Sequence, residues 1–332
     1  MPSLTPRLDR LEKNLLINGG FDFFQRLGTG AGPIGSSPGW SGPDRWLVNY
    51  TGTVTGTQTI QRVASNADNN LTTNSAQFAI RRNGTAASAV IQQRVESINA
   101  RDLAYRTTGA FSIRVLTPIS GCQVRLTVNV PTVTDNYTSV VQVYQNTSSQ
   151  TIAASTWTTV TFPNITVGTG AVRGCAVIAE ILIPTGTDGA TLNYSFAQAM
   201  FVSGPYAQDF TPMGRTFAEE LVACQRYYEK SYSLDTVPGT ATDLGRETLA
   251  TLTPGTILSS LKYKVTKRVR PTFSFWTTPG TINNIDVNGV DRGVDITSSN
   301  NISNEHLYNI VLNSSGTAGQ YAFLHWTMDA EI

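Results

Sequence analysis

Charge is scarce in this chain of 332 residues: 14% are Asp, Glu, Lys or Arg, and 24 basic against 23 acidic side chains leave a formal net charge of +1. That share is roughly half the usual one. A nucleic-acid binder needs a clustered basic field, and this balance supplies none. Histidine is almost missing: His306 and His325 stand in no His-x-x-x-His or His-Glu-x-x-His frame, so a zinc site has no support. Cysteine is sparse, odd in number and widely spaced. Cys122, Cys175 and Cys224 therefore read as three buried thiols, with a Cys122–Cys175 bridge between strands as the alternative. No window approaches the ~18 uninterrupted apolar residues of a membrane span. The opening run MPSLTPRLDRLEKNLLING is charged and amphipathic and lacks the apolar stretch of a secretory signal. The chain is also poor in the Ala, Glu, Lys, Leu and Arg that dominate long helical proteins.

What is abundant is threonine, with 45 copies, alongside 28 glycines. Thr is β-branched and favours strands. Short alternating or β-branched runs recur between turn clusters from Leu15 to Pro212: Trp46–Tyr50, Val54–Val63, Ala76–Arg82, Ala89–Arg94, Ala110–Leu116, Cys122–Val130, Ser139–Tyr144, Thr156–Ile165, Gly174–Ile183 and Thr191–Val202. Many short strands without helical windows between them indicate a two-sheet sandwich or jelly roll. Before them, Leu4, Leu8, Leu11 and Leu15 fall at helical spacing, a stub too short to hold by itself and suited to oligomer or docking contact. After them, Phe217, Leu221, Cys224, Tyr228 and Tyr232 predict one amphipathic helix, opened by a Thr216–Glu219 capping box. A second β unit follows, with strands expected over Leu258–Arg270, Thr272–Thr277, Ile282–Val287, Gly293–Ile296, Ile302–Leu312 and Tyr321–Asp329 and a tight turn at Asn288–Gly289.

The fold class is thus mainly β, in four parts: an N-terminal helical stub over 1–14, a jelly-roll β-sandwich over 15–212, a linking helix over 213–234 and a small antiparallel β-domain over 235–332. Catalytic signatures are missing: there is no Gly-x-Ser-x-Gly elbow, Walker loop or dinucleotide fingerprint. Glu219 and Glu220 point about 100° apart on a helix and cannot face each other as an acid–base pair. The chain is read as a non-enzyme with no cofactor. A structural calcium at Asp22 and Asp44, or at Asp286, Asp291 and Asp295, is the one metal alternative. Alternation in LKYKVTKRVR, 261–270, puts Lys262, Lys264 and Thr266 on one face and Tyr263, Val265 and Lys267 on the other, a solvated edge strand first and an anion-binding face second. Trp40, Tyr137, Tyr144 and Trp157 lie near turns and are the candidate sugar-stacking rings, with core packing as the plainer role.

Four stretches carry a resemblance: NLLINGGFDFFQR (Asn14–Arg26), SGPDRW (Ser41–Trp46), PYAQDFTPMGRTFAEELVACQRYYEKSY (Pro205–Tyr232) and WTMDAEI (Trp326–Ile332). In this order they resemble bacteriophage tail-fibre and virion-associated proteins with a carbohydrate-binding-module-like jelly roll. The resemblance frames nearly the whole chain, but the middle, about Tyr50 to Ala199, carries no signature of it. It implies a homotrimer on the virion, in the tail or neck, assembled in the bacterial cytoplasm. The partners it implies are other virion proteins; a host surface glycan is expected from the low charge and abundant Thr, Asn and Gln, which suit weak hydrogen-bonding contacts multiplied across copies, without nucleic acid or membrane insertion. Asp44–Arg45 and Gln225–Arg226 read within it as scaffold pairs. With only about 14 residues ahead of the first domain, a short tail fibre fits better than a long one. Two rivals remain: a purely structural fibre, collar or head-decoration protein with no receptor role, and a capsular polysaccharide depolymerase.

Overall fold

The computed structural model describes residues 13–64, 74–186, 188–210, 215–250, 256–295, 302–312 and 319–332. Leu4, Leu8 and Leu11 lie outside them. In chain order, the first part contains β1 (Ala31–Ile34), β2 (Leu47–Thr51), β3 (Gln58–Ala64), β4 (Asn74–Arg81), β5 (Ala87–Val95), α1 (Arg101–Arg106), β6 (Thr108–Leu116), β7 (Gln123–Val133), β8 (Asn136–Thr147), β9 (Thr158–Thr166), β10 (Cys175–Ile183) and β11 (Thr191–Ser203). They form two antiparallel sheets, ordered β1-β3-β4-β11-β6-β9 and β2-β5-β10-β7-β8. Strict alternation builds the space between them. Phe111, Ile113 and Val115 of β6 and Val177, Ala179 and Ile181 of β10 point into one shared core. Each such buried side chain contributes about 1.5–3 kcal/mol. Rings pack within it, Phe78 against Phe196 of the neighbouring strand at 5.6 Å and Phe21 against Trp46 at 5.1 Å.

The Asn14–Arg26 motif is the plug at one end of this core. Asn14 bridges the irregular part of β11: its Nδ2 donates to the Ala199 carbonyl and its Oδ1 accepts from Phe201 N. Gly19 is required beside it, since a Cβ there would sit 2.3 Å from the Ala199 oxygen. Asn18, at φ 57°, accepts from the amides of Asp22 and Phe23 and donates to the carbonyls of Phe23 and Asp44. Leu15 packs on the sandwich core, and its amide bonds to Phe201 O.

The second part contains α2 (Phe217–Gln225), β12 (Tyr228–Lys230), β13 (Glu247–Ala250), β14 (Thr256–Lys262), β15 (Thr272–Trp276), β16 (Asn284–Val287), β17 (Val290–Asp295), β18 (His306–Leu312) and β19 (Tyr321–Asp329). These strands make one curled sheet around β19, which pairs with β12 and β15 at one end and with β13 and β16 at the other. Their own core gathers Phe275, Ile285, Leu324, Trp326 and Met328. The predicted capping box is present, with Glu219 N donating to the Thr216 hydroxyl and Glu219 accepting from Thr216 N. The Asn288–Gly289 turn is also present, both residues at positive φ between the paired Val287 and Val290.

Three expectations need correction. The linking helix stops at Gln225, because Tyr228–Lys230 is extended and pairs with Thr327–Asp329. Both faces of that strand are buried, so tertiary pairing overrides the helical spacing of Tyr228 and Tyr232. The basic run is not one solvated strand: β14 ends at Lys262, and Lys267 is wholly buried against Glu229 and the Gln225 carbonyl. A charge can be buried only if paired and hydrogen-bonded. The helix α1 was unforeseen, being six residues with no apolar repeat. All three cysteines are buried and free.

The sandwich and the second sheet meet in a buried ionic junction made from the framing motifs. Glu331 pairs with Arg45, and it lies 3.4 Å from Arg26, which also reaches Asp329 at 2.9 Å. The Arg45 guanidinium lies on the Tyr227 ring at 3.4 Å and that of Arg26 on Tyr228 at 3.8 Å. Glu96 takes Arg268 at 2.9 Å and Arg226 at 3.4 Å. Gln25 donates twice to Asp44, whose carboxyl burial nevertheless pushes up to about 6. Lys230 is buried and donates to the carbonyls of Gln25, Leu234 and Thr236, at 2.6, 2.8 and 2.6 Å. Burial lowers its amine to about 8.

Removing one partner of a buried pair strands the other charge. Glu331→Ala should therefore cost about 3–5 kcal/mol in urea unfolding, while Asp243→Ala, whose ion pair with Arg246 is 72% exposed on the Asp side, should cost under about 1 kcal/mol. A similar loss in both variants would show that the junction adds no stability. His325 gives a pH test. It is fully buried and stacks on Tyr232 at 3.9 Å, and its Nε2 donates to Thr242 O at 2.8 Å while Nδ1 accepts from Ser231. Burial holds its pKa below the ordinary value, so the fold keeps the neutral ring. Its contribution is complete above about pH 6.5 and is lost as pH falls below that toward the folded value. The urea midpoint should drop between pH 7 and pH 5 more steeply in the natural protein than in His325→Gln, and equal slopes would exclude this role.

Candidate functional site

The outer face of the five-stranded sheet carries amide and hydroxyl side chains in register with a few apolar and charged ones. Core-facing residues alternate with outward ones, so the pairing register lays the outward residues in rows across four or five strands. One row runs Asn49, Val90, Glu180, Arg125, Thr147. The next runs Leu47, Gln92, Ile178, Thr127, Gln145. A third, toward the second sheet, runs Arg94, Ala176, Asn129, Gln142. At the opposite end Thr51 and Ser88 share a 2.7 Å hydroxyl bond.

Half of these side chains are amides or hydroxyls, with Ile178 partly exposed and Val90 and Ala176 buried among them. Gln145 Nε2 donates to Thr127 Oγ1 at 3.1 Å, and Asn49 Nδ2 to Ser36 O at 3.2 Å. One ion pair crosses the middle, Arg125 to Glu180 at 2.5 Å, with Glu180 the more buried partner. Asn129 Oδ1 and Arg125 Nε are buried without a hydrogen-bond partner among the described residues.

One end of the face is closed by the last residues of the chain, where Arg94 Nη1 donates to Ile332 O. Two of the predicted rings stand at that end. Trp40 is half-buried beside Arg45 at 5.8 Å and Arg26 at 6.0 Å. Arg45 donates to Arg94 O, and the Arg94 guanidinium lies 5.3 Å from the Tyr137 ring. Tyr137 also donates to Val95 O at 2.7 Å. Tyr144 instead packs on the sandwich core, and Trp157 is half-buried just before β9. The four rings therefore do not make one stacking platform. The array of Asn49, Gln92, Thr127, Asn129 and Gln145 was missed, although its signal was in the sequence: polar residues at every second position of strands whose alternate positions are apolar.

Three of the acidic candidates for calcium accept hydrogen bonds within the fold. Asp22 Oδ1 accepts from Asn74, Asp44 from Gln25, and Asp286 Oδ1 from Gly289 N. Among the described residues no three His, Cys, Asp or Glu side chains gather at one point.

No family model matches the chain, and no curated protein matches it. Solved structures similar to it include a carbohydrate-binding module of the β-sandwich superfamily, at 10% identity and TM-score 0.33 over 48% of this chain and 57% of that one. Another is the enzymatically active domain of tailspike protein 4 of bacteriophage CBA120, at 11% identity and TM-score 0.35 over 58% and 21%. A third is described as a putative sugar-binding protein from Bacteroides thetaiotaomicron, at 12% identity and TM-score 0.36 over 57% of this chain and all of that one.

Proposed function

We propose that the chain is a non-enzymatic bacteriophage adhesin that holds a neutral host-surface glycan on the outer face of its five-stranded sheet. The observation that carries this reading is the row structure itself. Amide and hydroxyl side chains stand at the repeat of the sheet, suited to a ligand that offers many hydroxyls and no charge. Ile178, partly exposed between them, suits the C–H face of a sugar ring. Each hydrogen bond is modest in water, so binding strength comes from several copies engaging one polymer. The sequence resemblance to tail-fibre and virion-associated proteins supplies the setting, and residues 1–14 supply virion attachment and trimer contact.

Hydrolysis is disfavoured by the same face. Glycosidases place two carboxylates about 5–9.5 Å apart, whereas Glu180 is the one carboxylate in these rows and is held by Arg125.

Gln92→Ala and Gln145→Ala should each weaken retention on host polysaccharide about fivefold, or ~1 kcal/mol, with thermal unfolding unchanged. Affinity electrophoresis reads this directly. Undiminished retention in the double variant, or release of reducing sugar by the natural protein, would refute the assignment. Deleting Met1–Lys13 should abolish incorporation into particles while leaving both sheets folded by circular dichroism. A truncated protein that still incorporates would remove the stub from the attachment role.

A further inference from the structure

Lys13, the first described residue, emerges at a place fixed by its neighbours. The Leu15 amide bonds to Phe201 O, and the Ala199 amide to Gly19 O, so this segment runs antiparallel to β11 and Lys13 comes out toward the Ser203 end of that strand. That end joins α1: Gly204 N bonds to Thr108 O, and Leu103 of α1 packs close over Gly109. On the other side the Leu16 carbonyl accepts from Arg215, just ahead of α2. The exit therefore lies between α1 and α2. Both elements expose apolar side chains. Ile98 and Tyr105, before and on α1, are 59% and 87% exposed, and Phe217 and Val222 of α2 are 62% and 48% exposed. The contact of Glu96 with Arg226 at 3.4 Å ties the two together, since Ile98 is two residues past Glu96 and Val222 is one turn before Arg226. The inner side of α2 packs Leu221 and Cys224 with Ile17 and Phe23, while Ala218 and Val222 face outward. A helix that is apolar on both sides is one that is covered on both.

We propose that residues 1–12 of the same chain cover this surface, with Leu4, Leu8 and Leu11 laid against Ile98 and Tyr105 on one side and Phe217 and Val222 on the other. The tether selects this occupant. The segment starts beside the surface, so it competes for it at a high effective concentration. Its length fits: twelve residues at helical rise span about 18 Å, against about 14 Å for the nine residues of α2. Its leucines are also too few to serve by themselves. Leu15, the fourth of the stripe, is packed on the sandwich core. The three that remain fall within Leu4–Leu11, far short of the roughly three or four heptads that sustain a coiled coil. A helix of this length needs a surface to hold it in water. Asp9 and Arg10 fall opposite the leucine stripe and stay outward for the attachment proposed above. The docking depends neither on that attachment nor on the glycan assignment.

Amide hydrogen exchange of the full chain tests this. Deleting residues 1–12 should speed exchange over 220–226 about tenfold, with β6 and β10 unchanged. Leu8→Asp should do the same, and Leu8→Met should keep the protection. In the natural protein that protection should be equal in dilute and concentrated solution. Unchanged exchange over 220–226 in the deletion, or in a folded Leu8→Asp, overturns the proposal. So does protection that grows with concentration, which assigns the surface to a second copy. Should either variant fail to fold, the doubly substituted Leu8→Cys, Val222→Cys chain decides, treated with a short bismaleimide while the three native cysteines stay buried. A cross-link within one chain sustains the proposal, and a cross-link between chains, or none, overturns it.

Discussion

The burial of Glu331 between Arg26 and Arg45 ties the chain's end to its beginning, and the rest of the architecture hangs on that tie. Glu331 follows β19, the strand around which the second sheet is organised, while Arg26 and Arg45 flank the entry to the sandwich. Neither arginine stands alone. Each guanidinium has a tyrosine ring beneath it, from the Tyr227–Tyr228 step between α2 and β12. One carboxylate thus gathers three segments far apart in sequence. Burying charge is expensive unless every group is paired, so this arrangement favours a single relative placement of sandwich, helix and second sheet.

The framing motifs take on meaning through this junction. Asn14 and Asn18 are not ligand contacts: they satisfy peptide groups where β11 departs from regular pairing and where the chain turns at positive φ. Asp44–Arg45 and Gln225–Arg226 are scaffold groups, as expected. Gln25 binds Asp44, Arg226 binds Glu96, and the Gln225 carbonyl takes Lys267. The function is consequently sought away from the motifs, on a sheet face built by the unremarkable middle of the chain. The second part of the chain meets that face at its Arg94 end, where Arg94 bonds to the Ile332 carbonyl.

Much of the strand pattern was legible locally. Alternation with a period of two places Phe111, Ile113 and Val115 in the core whatever their neighbours do, and Asn288–Gly289 closes its hairpin by its own backbone preference. The capping box at Thr216 is equally local. The misreadings arose where long-range pairing outweighs a local pattern. Tyr228 and Tyr232 fit a helix by spacing, yet the free edge of β19 needs a strand. Lys267 fits a solvated face by alternation, yet it answers the buried Glu229. The candidate rings are scattered for a related reason. A ring near a turn is equally suited to water, to a guanidinium or to the core, and only three-dimensional neighbours choose among these.

By itself, the sequence determined the composition of the surface, the two-residue period of the strands, the shortage of catalytic groups and the residues that could frame a junction. These depend on side-chain chemistry and nearest-neighbour backbone preference. Only the tertiary structure decided which strands pair, which polar residues share a row and where the scarce charges are buried. Register is a relation between segments: Gln92 and Gln145 are 53 positions apart in the chain, and they join one row because β10 and β7 lie between their strands. A shift of one residue in any of those pairings would turn the row into the core.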